Sequence, residues 1–256
     1  MPFKIIICII AGIGAGLGTG FAGMSAAAVI SPMLITFLDM DSYLAVGIAL
    51  ASDVLASAVS AYTYGKNKNL DIRNGLIMVF SVLCFTLVGS YVASIVPKTT
   101  MGSFSVFMTL LLGIKFIVKP VVAPKARLQN ATAKQKAIRS VICGSVVGFI
   151  CGFIGAGGGM MMLLVLTTVL GYELKTAVGT SVFIMAATAL TGSVSHFAIG
   201  GAPDPVALIT CVSSTLVFAL IAALIANKVS AKTLNRATGV VLVVLGAAII
   251  IVNRIK

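Results

Sequence analysis

Apolar residues occupy most of the chain in long stretches that are separated by short polar turns. Six stretches approach the roughly 20 residues that a helix needs to cross the hydrocarbon core of a bilayer, at about 43–63, 75–96, 101–118, 176–198, 206–227 and 235–252. Two others, at about 3–38 and 138–170, are too long for one crossing, and each contains a glycine cluster near its middle. The pattern predicts an all-α integral membrane protein.

The same apolar pattern occurs twice along the chain. Residues 16–47 align without a gap with residues 148–179, which lie 132 positions further along. The paired positions include Gly20 with Gly152, Phe21 with Phe153, Gly23 with Gly155, Leu34 with Leu166 and Gly47 with Gly179. We therefore expect two homologous repeats, each with a glycine-interrupted helical stretch followed by three full transmembrane helices, or about eight to ten membrane segments in all.

A polar segment separates the two repeats. Residues 120–139 form the only extended polar stretch of the chain. The sequence thus predicts an N-terminal membrane repeat at 1–119, a basic cytoplasmic linker at 120–139 and a C-terminal membrane repeat at 140–256.

The two repeats can be related in two ways. If the interrupted stretch enters the membrane and returns, each repeat crosses an odd number of times, the repeats are inverted and both termini lie outside. If the stretch is one broken span, the repeats are parallel. About 34 residues would reach roughly 50 Å as one helix, well beyond a hydrocarbon core of about 30 Å. We therefore favour inverted repeats.

Composition and charge agree with a membrane protein. The 256 residues are 59% hydrophobic and 9% charged, whereas soluble domains carry about 25% charged residues. The net charge of +12 would also suit a nucleic-acid-binding protein. The positive charges, however, flank apolar spans, which is the pattern of cytoplasmic loops: outside the linker they cluster at Lys66, Lys68, Arg73, Lys228, Lys232 and Arg236. We therefore predict contact with the lipid bilayer and no nucleic-acid partner.

Metal and catalytic motifs give no support for an enzyme. The five cysteines lie in or beside apolar runs without CxxC spacing, so neither a zinc site nor a disulfide framework is predicted. One histidine, six acidic residues and no GxSxG or HExxH motif leave little catalytic material. We predict a non-enzymatic protein without metal or cofactor.

The glycines of the second interruption indicate a binding site. Five glycines occur among the eight residues from Gly152 to Gly159, too many for a stable helix interior. Irregular backbone at membrane depth survives only when it is buried in protein or lines a cavity. The helix that resumes at about Gly159 would point free N–H groups and the positive end of its dipole into that cavity, which suits an anion. The first repeat offers the equivalent position at 20–25.

Close helix packing is the alternative role for these glycines. We favour packing for the spaced glycines, which are Gly12, Gly16, Gly20, Gly148 and Gly152, and the anion site for the contiguous Gly157, Gly158 and Gly159.

These residues resemble the sulfite exporter TauE/SafE family, also called the 4-toluene sulfonate uptake permease family. The resemblance rests on 155–159, on Gly171-Tyr172, on 177–181 and on His196 before Gly200-Gly201, and it extends over essentially the whole chain. It implies transport of a small sulfur-containing or organic anion, such as sulfite, a sulfonate or sulfoacetate, across the bacterial inner membrane. The first repeat departs from the motif: its glycine triplet is missing, and Ile48-Ala49 replaces Thr180-Ser181.

Two ionisable residues inside the spans are candidates for binding a coupling ion. Asp53 lies in the span 43–63, and a carboxyl group inside a span is a functional candidate by default. It could carry a coupling proton or pair structurally with a Lys or a helix end. His196 is the only histidine. It could bind a proton or the substrate, or be a structural polar residue near the end of its span.

The sequence therefore predicts a secondary transporter in the bacterial inner membrane. The substrate anion would bind near the midplane, with candidate ligands at Gly157, Gly158, Gly159, Thr180, Ser181 and Ser25. Protons are the candidate coupling ions, through Asp53 or His196. An anion channel of the same architecture is the alternative.

Overall fold

The computed structural model consists of α-helices joined by short turns. It describes residues 2–96, 133–154 and 158–230, and single residues at 114, 117, 118, 232, 233, 236, 239, 240, 243, 244, 247 and 251. Eight helices lie in the continuous ranges: α1 Pro2–Ala22, α2 Ala27–Leu38, α3 Ser42–Lys66, α4 Ile72–Ile95, α5 Ala133–Ile154, α6 Gly158–Thr168, α7 Leu174–Gly200 and α8 Pro205–Ala226. The predicted spans at 101–118 and 235–252 lie largely outside the described residues.

The described helices confirm the prediction of an all-α membrane protein. Helices α1, α3, α4, α7 and α8 are long and apolar enough to cross a bilayer, while α2 and the apolar part of α5 are shorter. Large apolar side chains such as Phe80, Ile142 and Ile209 are exposed on the outside of the bundle. Such an apolar exterior suits lipid, since soluble proteins rarely expose contiguous apolar patches of this extent.

The interrupted stretches are broken where the sequence predicts. Helix α1 ends at Ala22 and α2 begins at Ala27, while α5 ends at Ile154 and α6 begins at Gly158. Gly23 adopts a positive φ of 61° in the first break, a conformation that favours glycine. The first stretch therefore turns at Gly23 instead of continuing as one long helix.

The two short helices end in the same way. Asp39 follows α2 with φ 48°, and Gly171, 132 positions later, follows α6 with φ 73°. The amide of Met40 donates to Leu34 O at 3.3 Å, and the amide of Tyr172 donates to Leu166 O at 2.9 Å. Both are the left-handed helix ends that satisfy otherwise unpaired carbonyl groups. The sequence repeat is therefore also a repeat of local structure.

Spaced glycines bring helices of different repeats into backbone contact. A Cβ on Gly16 of α1 would lie 2.5 Å from Thr215 O of α8, and a Cβ on Gly152 of α5 would lie 2.9 Å from Ser90 N of α4. Gly20 and Gly148 make equivalent backbone contacts, and Gly12 meets the side chain of Ser214. The packing role favoured for these five glycines is confirmed.

The third helices of the two repeats cross at the centre. A Cβ on Gly47 would lie 2.7 Å from Phe197, and one on Gly179 would lie 2.9 Å from Tyr64 Cβ. Gly47 and Gly179 stand near the starts of α3 and α7, whereas Tyr64 and Phe197 stand near their ends. Helices α3 and α7 therefore run antiparallel. Each also packs on the fourth helix of the other repeat, α3 on α8 and α7 on α4.

A side chain from each central helix satisfies the end of a broken helix. Tyr64 Oη donates to Gly20 O at 3.1 Å, and His196 Nε2 lies 3.0 Å from Gly152 O. Both pairs are separated by 44 residues, and they are related by the 132-residue repeat. Because the end of α1 lies beside the end of α3, α2 must return toward the end where α3 begins. The second repeat follows the same course.

The glycine packing predicts different effects for two neighbouring substitutions in α1. Gly16→Ala should destabilise the protein by about 1–3 kcal/mol because the methyl group overlaps the backbone of α8. Gly18→Ala is the matched control, since its Cβ would meet only the end of the Met24 side chain at 3.1 Å. Thermal unfolding in detergent measures both, and equal unfolding temperatures would contradict the packing role.

The Tyr64 hydrogen bond predicts a second difference. Tyr64→Phe leaves the buried Gly20 carbonyl without its side-chain donor and should cost about 1–3 kcal/mol of unfolding free energy. Tyr62→Phe serves as the control, because Tyr62 lies two residues away with a side chain that is 63% exposed. Denaturant or thermal unfolding of both variants provides the measurement; a Tyr64→Phe variant as stable as Tyr62→Phe would argue against the contact.

Candidate functional site

The start of α6, where the second break ends, meets the first helix break. A Cβ on Gly159, at the start of α6, would lie 2.6 Å from Ser25 N in the first break and would also overlap Gly23 O. A Cβ on Gly23 would in turn overlap Ser181 Oγ of α7. Only glycine lets the start of α6 approach the backbone of the first break so closely. The predicted site residues Gly159, Ser25 and Ser181 are therefore brought together.

The side chain of Asp53, a residue of α3, lies against the start of α2. Its Oδ2 accepts a hydrogen bond from Ser25 Oγ at 2.7 Å, and its Oδ1 accepts one from Ser57 Oγ at 2.8 Å. The amide of Ala26, the residue before α2, also hydrogen-bonds this carboxyl group. Asp53 is buried. A carboxyl group thus lies at the positive end of the helix dipole, where negative charge is stabilised.

The equivalent position in the second repeat has no acidic group. Met185 stands 132 residues after Asp53, and its sulfur would overlap a Cβ on Gly159. The start of α6 therefore faces a thioether and the first break, whereas the start of α2 faces a carboxyl group. The starts of the two short helices therefore differ in charge.

The remaining predicted ligands lie in different places. Gly158 is the first residue of α6, and Gly157 lies outside the described residues. Ser181 Oγ donates to Val178 O at 2.9 Å beside Gly23. Thr180 Oγ1 accepts from the amide of Asp71 at 3.1 Å and so holds the turn between α3 and α4. Thr180 and Ser181 are adjacent in sequence but point to different structures.

His196 sits between two backbone carbonyl groups. Its Nε2 lies 3.0 Å from Gly152 O and its Nδ1 lies 3.2 Å from Tyr43 O. Its ring centroid is 4.1 Å from that of Tyr43. About 22 Å of helix separates it from Ser181 at 1.5 Å per residue. This geometry is that of a structural residue which secures the end of α5, as Tyr64 secures the end of α1.

Three polar residues of the site were not singled out from the sequence. Thr19 Oγ1 and Ser60 Oγ are buried and have no hydrogen-bond partner within the described part of the chain. Cys151 of α5 lies near Asp53 and Thr188. Repeat alignment could have identified Tyr64 as the counterpart of His196, and helical spacing could have placed Ser60 on the face of Asp53. No sequence signal marks Thr19.

Polar and basic residues gather where α3 and α8 end. Lys175 Nζ donates to Asn227 O at 2.9 Å, and Tyr172 Oη donates to Asp71 Oδ2 at 2.8 Å. Burial acts to raise the pKa of Asp71, but hydrogen bonds from Asn74 and Tyr172 outweigh it and hold the pKa below its usual value. Lys66, Lys68 and Lys228 stand at the same end. We refer to this end as the basic end.

The opposite end carries an ion pair between the repeats. Lys4 near the start of α1 pairs with Asp204, which precedes α8. No group of three or more His, Cys, Asp or Glu side chains that could hold a metal ion occurs among the described residues.

Known proteins resemble the chain over nearly its whole length. The sulfite exporter TauE/SafE family profile matches residues 8–249. The probable membrane transporter protein YunE of Bacillus subtilis is 26% identical over 267 residues, which cover 96% of this chain and 97% of the relative. The probable membrane transporter protein YdhB of the same species is 22% identical over 212 residues, or 83% of this chain and 86% of the relative.

A further relative comes from an archaeon. The probable membrane transporter protein MJ0441 of Methanocaldococcus jannaschii is 26% identical over 231 residues, covering 83% of this chain and 81% of the relative. Together with the apolar helices, these matches make the chain a multi-pass membrane transporter. It belongs to the sulfite exporter TauE/SafE family.

Proposed function

We propose that this transporter moves a small sulfur-containing or organic anion, such as sulfite, a sulfonate or sulfoacetate, across the bacterial inner membrane in a proton-coupled cycle. The match to the sulfite exporter family supports the substrate class. The anion binds where the two breaks meet, and the proton binds Asp53.

The observation that carries this proposal is that the first repeat has Asp53 where the second repeat has Met185. At the start of α2 the chain supplies its own carboxyl group, with hydrogen bonds from Ser25, Ser57 and the Ala26 amide. The start of α6 has the same position in the repeat, but a thioether stands there. A free anion at Gly157–Gly159 would supply the negative charge at the start of α6 that Asp53 supplies at the start of α2. Ser25 lies against Gly159, and Ser181 lies against the adjoining Gly23.

The course of the helices supports inverted repeats. Helices α3 and α7 occupy equivalent positions and run antiparallel, and α2 returns toward the side from which α1 came. With this arrangement Lys66, Lys68 and Lys228 share the basic end, which is the cytoplasmic side by the positive-inside rule. An inverted pair can alternate access by moving one repeat against the other around the central site.

Movement between the repeats is required in this proposal. Gly159 touches Gly23 and Ser25, so the described arrangement has little space between the breaks. An anion reaches the start of α6 when these backbones separate. Protonation of Asp53 would weaken its attraction to the start of α2 and thereby favour the separation.

The proposed anion site predicts a loss of transport on adding one methyl group. Gly159→Ala places a Cβ against Ser25 N and should reduce uptake or efflux of the anion at least about tenfold, the effect of roughly 1.4 kcal/mol of lost binding. Flux in proteoliposomes with sulfite, thiosulfate, sulfonates and carboxylates measures it. Gly18→Ala is the control, and both variants are first checked for insertion in the membrane. Normal flux through Gly159→Ala would refute the site.

The proposed proton site predicts a change in coupling. Asp53→Asn keeps the size of the side chain, and its single amide oxygen can accept from one of Ser25 and Ser57 while its NH2 group donates to the other. An amide does not bind a proton at physiological pH. Anion flux should then no longer respond to an imposed pH gradient, which parallel assays with and without the gradient test. Unchanged coupling would rule out Asp53 as the proton carrier. Wild-type flux that neither saturates nor depends on the gradient would indicate an anion channel.

A further inference from the structure

One face of α3 carries polar groups from Asp53 to the basic end. Asp53, Ser57, Ser60 and Tyr64 follow one another at spacings of four, three and four residues, which places them on the same face of a helix. All four are buried. Helix α3 ends two residues later at Lys66.

Two hydroxyl groups, one on this face and one beside it, find no hydrogen-bond partner among the described residues. Ser60 Oγ and Thr19 Oγ1 are fully buried and lack a hydrogen bond within the described part of the chain. Tyr64 lies one turn after Ser60 and donates to Gly20, the neighbour of Thr19. The turn of α3 that follows Ser60 therefore lies beside the turn of α1 that contains Thr19. An unsatisfied buried hydroxyl is costly, and ordered water commonly provides the missing partner.

The second repeat has lost these groups. At the positions 132 residues later stand Met185 for Asp53, Ala189 for Ser57, Gly192 for Ser60 and Cys151 for Thr19. Tyr64 and His196, which secure the helix ends, both remain polar. The scaffold contact is thus present in both repeats, while the carboxyl and hydroxyl groups at these four positions occur only in the first.

We propose that Ser60 and Thr19 hold water through which protons pass between the basic end and Asp53. This inference rests on the proposed role of Asp53 as the proton site. Ser57 is the last step: it already donates its hydroxyl proton to Asp53 Oδ1 at 2.8 Å. When that proton transfers to Oδ1, Ser57 Oγ takes a proton from the adjacent water, which is replenished from the basic end. The number of protons is conserved at each step.

Few other ionisable groups surround this route. Among the described residues, the Cys151 thiol of α5 is the titratable side chain near Asp53, while its neighbours from α2 are the Ser25 hydroxyl and the Ala26 amide. From α7, Met185 stands at the junction with Gly159. Tyr64 lies at the far end of the face, where its hydroxyl group is engaged with Gly20. Ser57 is therefore the described group that links Asp53 to the unpartnered hydroxyls.

The test compares Ser60→Ala and Thr19→Val with Ser52→Ala. Proteoliposomes that contain a pH-sensitive dye report proton movement when sulfite or a sulfonate is added. Removing either unpartnered hydroxyl should slow coupled proton and anion movement about tenfold, the effect on a rate of losing one hydrogen bond to water. Anion affinity and the unfolding temperature should stay at or above wild-type values, because no protein hydrogen bond is lost.

Ser52→Ala is the matched control on the same helix. Ser52 is buried, and its hydroxyl donates to Ile48 O, so its loss should leave the proton rate unchanged. Unchanged proton rates in both Ser60→Ala and Thr19→Val would overturn the water route. If Asp53→Asn at the same time abolishes coupling, the proposed function stands and only the route fails. Coupling that persists in Asp53→Asn would instead overturn the proton site on which the route depends.

Discussion

The structure depends on satisfying backbone polar groups where two helices are interrupted inside a membrane. The surrounding hydrocarbon cannot pair the carbonyl groups left by α1 and α5. Tyr64 and His196 approach those carbonyls from the third helix of each repeat. These contacts align the end of each broken helix with the end of the helix after it. The return of α2 and α6 follows from that alignment.

Glycine residues make the close approach of the helices sterically possible. Gly16 and Gly152 let α1 and α5 pack against the backbones of α8 and α4, while Gly159 lets the second break touch the first. The first use is ordinary small-residue packing between membrane helices. The second brings the starts of two helices together, where the positive ends of the helix dipoles attract negative charge. The same residue type therefore serves the scaffold at one depth and the proposed site at another.

Chemical difference between the repeats is concentrated on their central helices. Helix α3 carries Asp53, Ser57 and Ser60, whereas α7 has Met185, Ala189 and Gly192 at the same positions. The two repeats share a scaffold, but only the first has a carboxyl group at this position. In the proposed function the first repeat therefore binds the proton and the second binds the anion. Because the two sites share the junction of the breaks, a change at one can alter the spacing at the other.

The sequence alone determined the membrane class, the repeat and the positions of the breaks, because apolar length and glycine clusters are local properties of the chain. It also singled out Asp53, since a carboxyl group inside an apolar span is costly enough to be conspicuous. It did not separate Thr180 from Ser181, although one holds a turn and the other lies beside Gly23. Nor did it reveal that His196 and Tyr64 have the same role. Those distinctions depend on which groups face each other across helices far apart in the chain, and only the tertiary packing decides that.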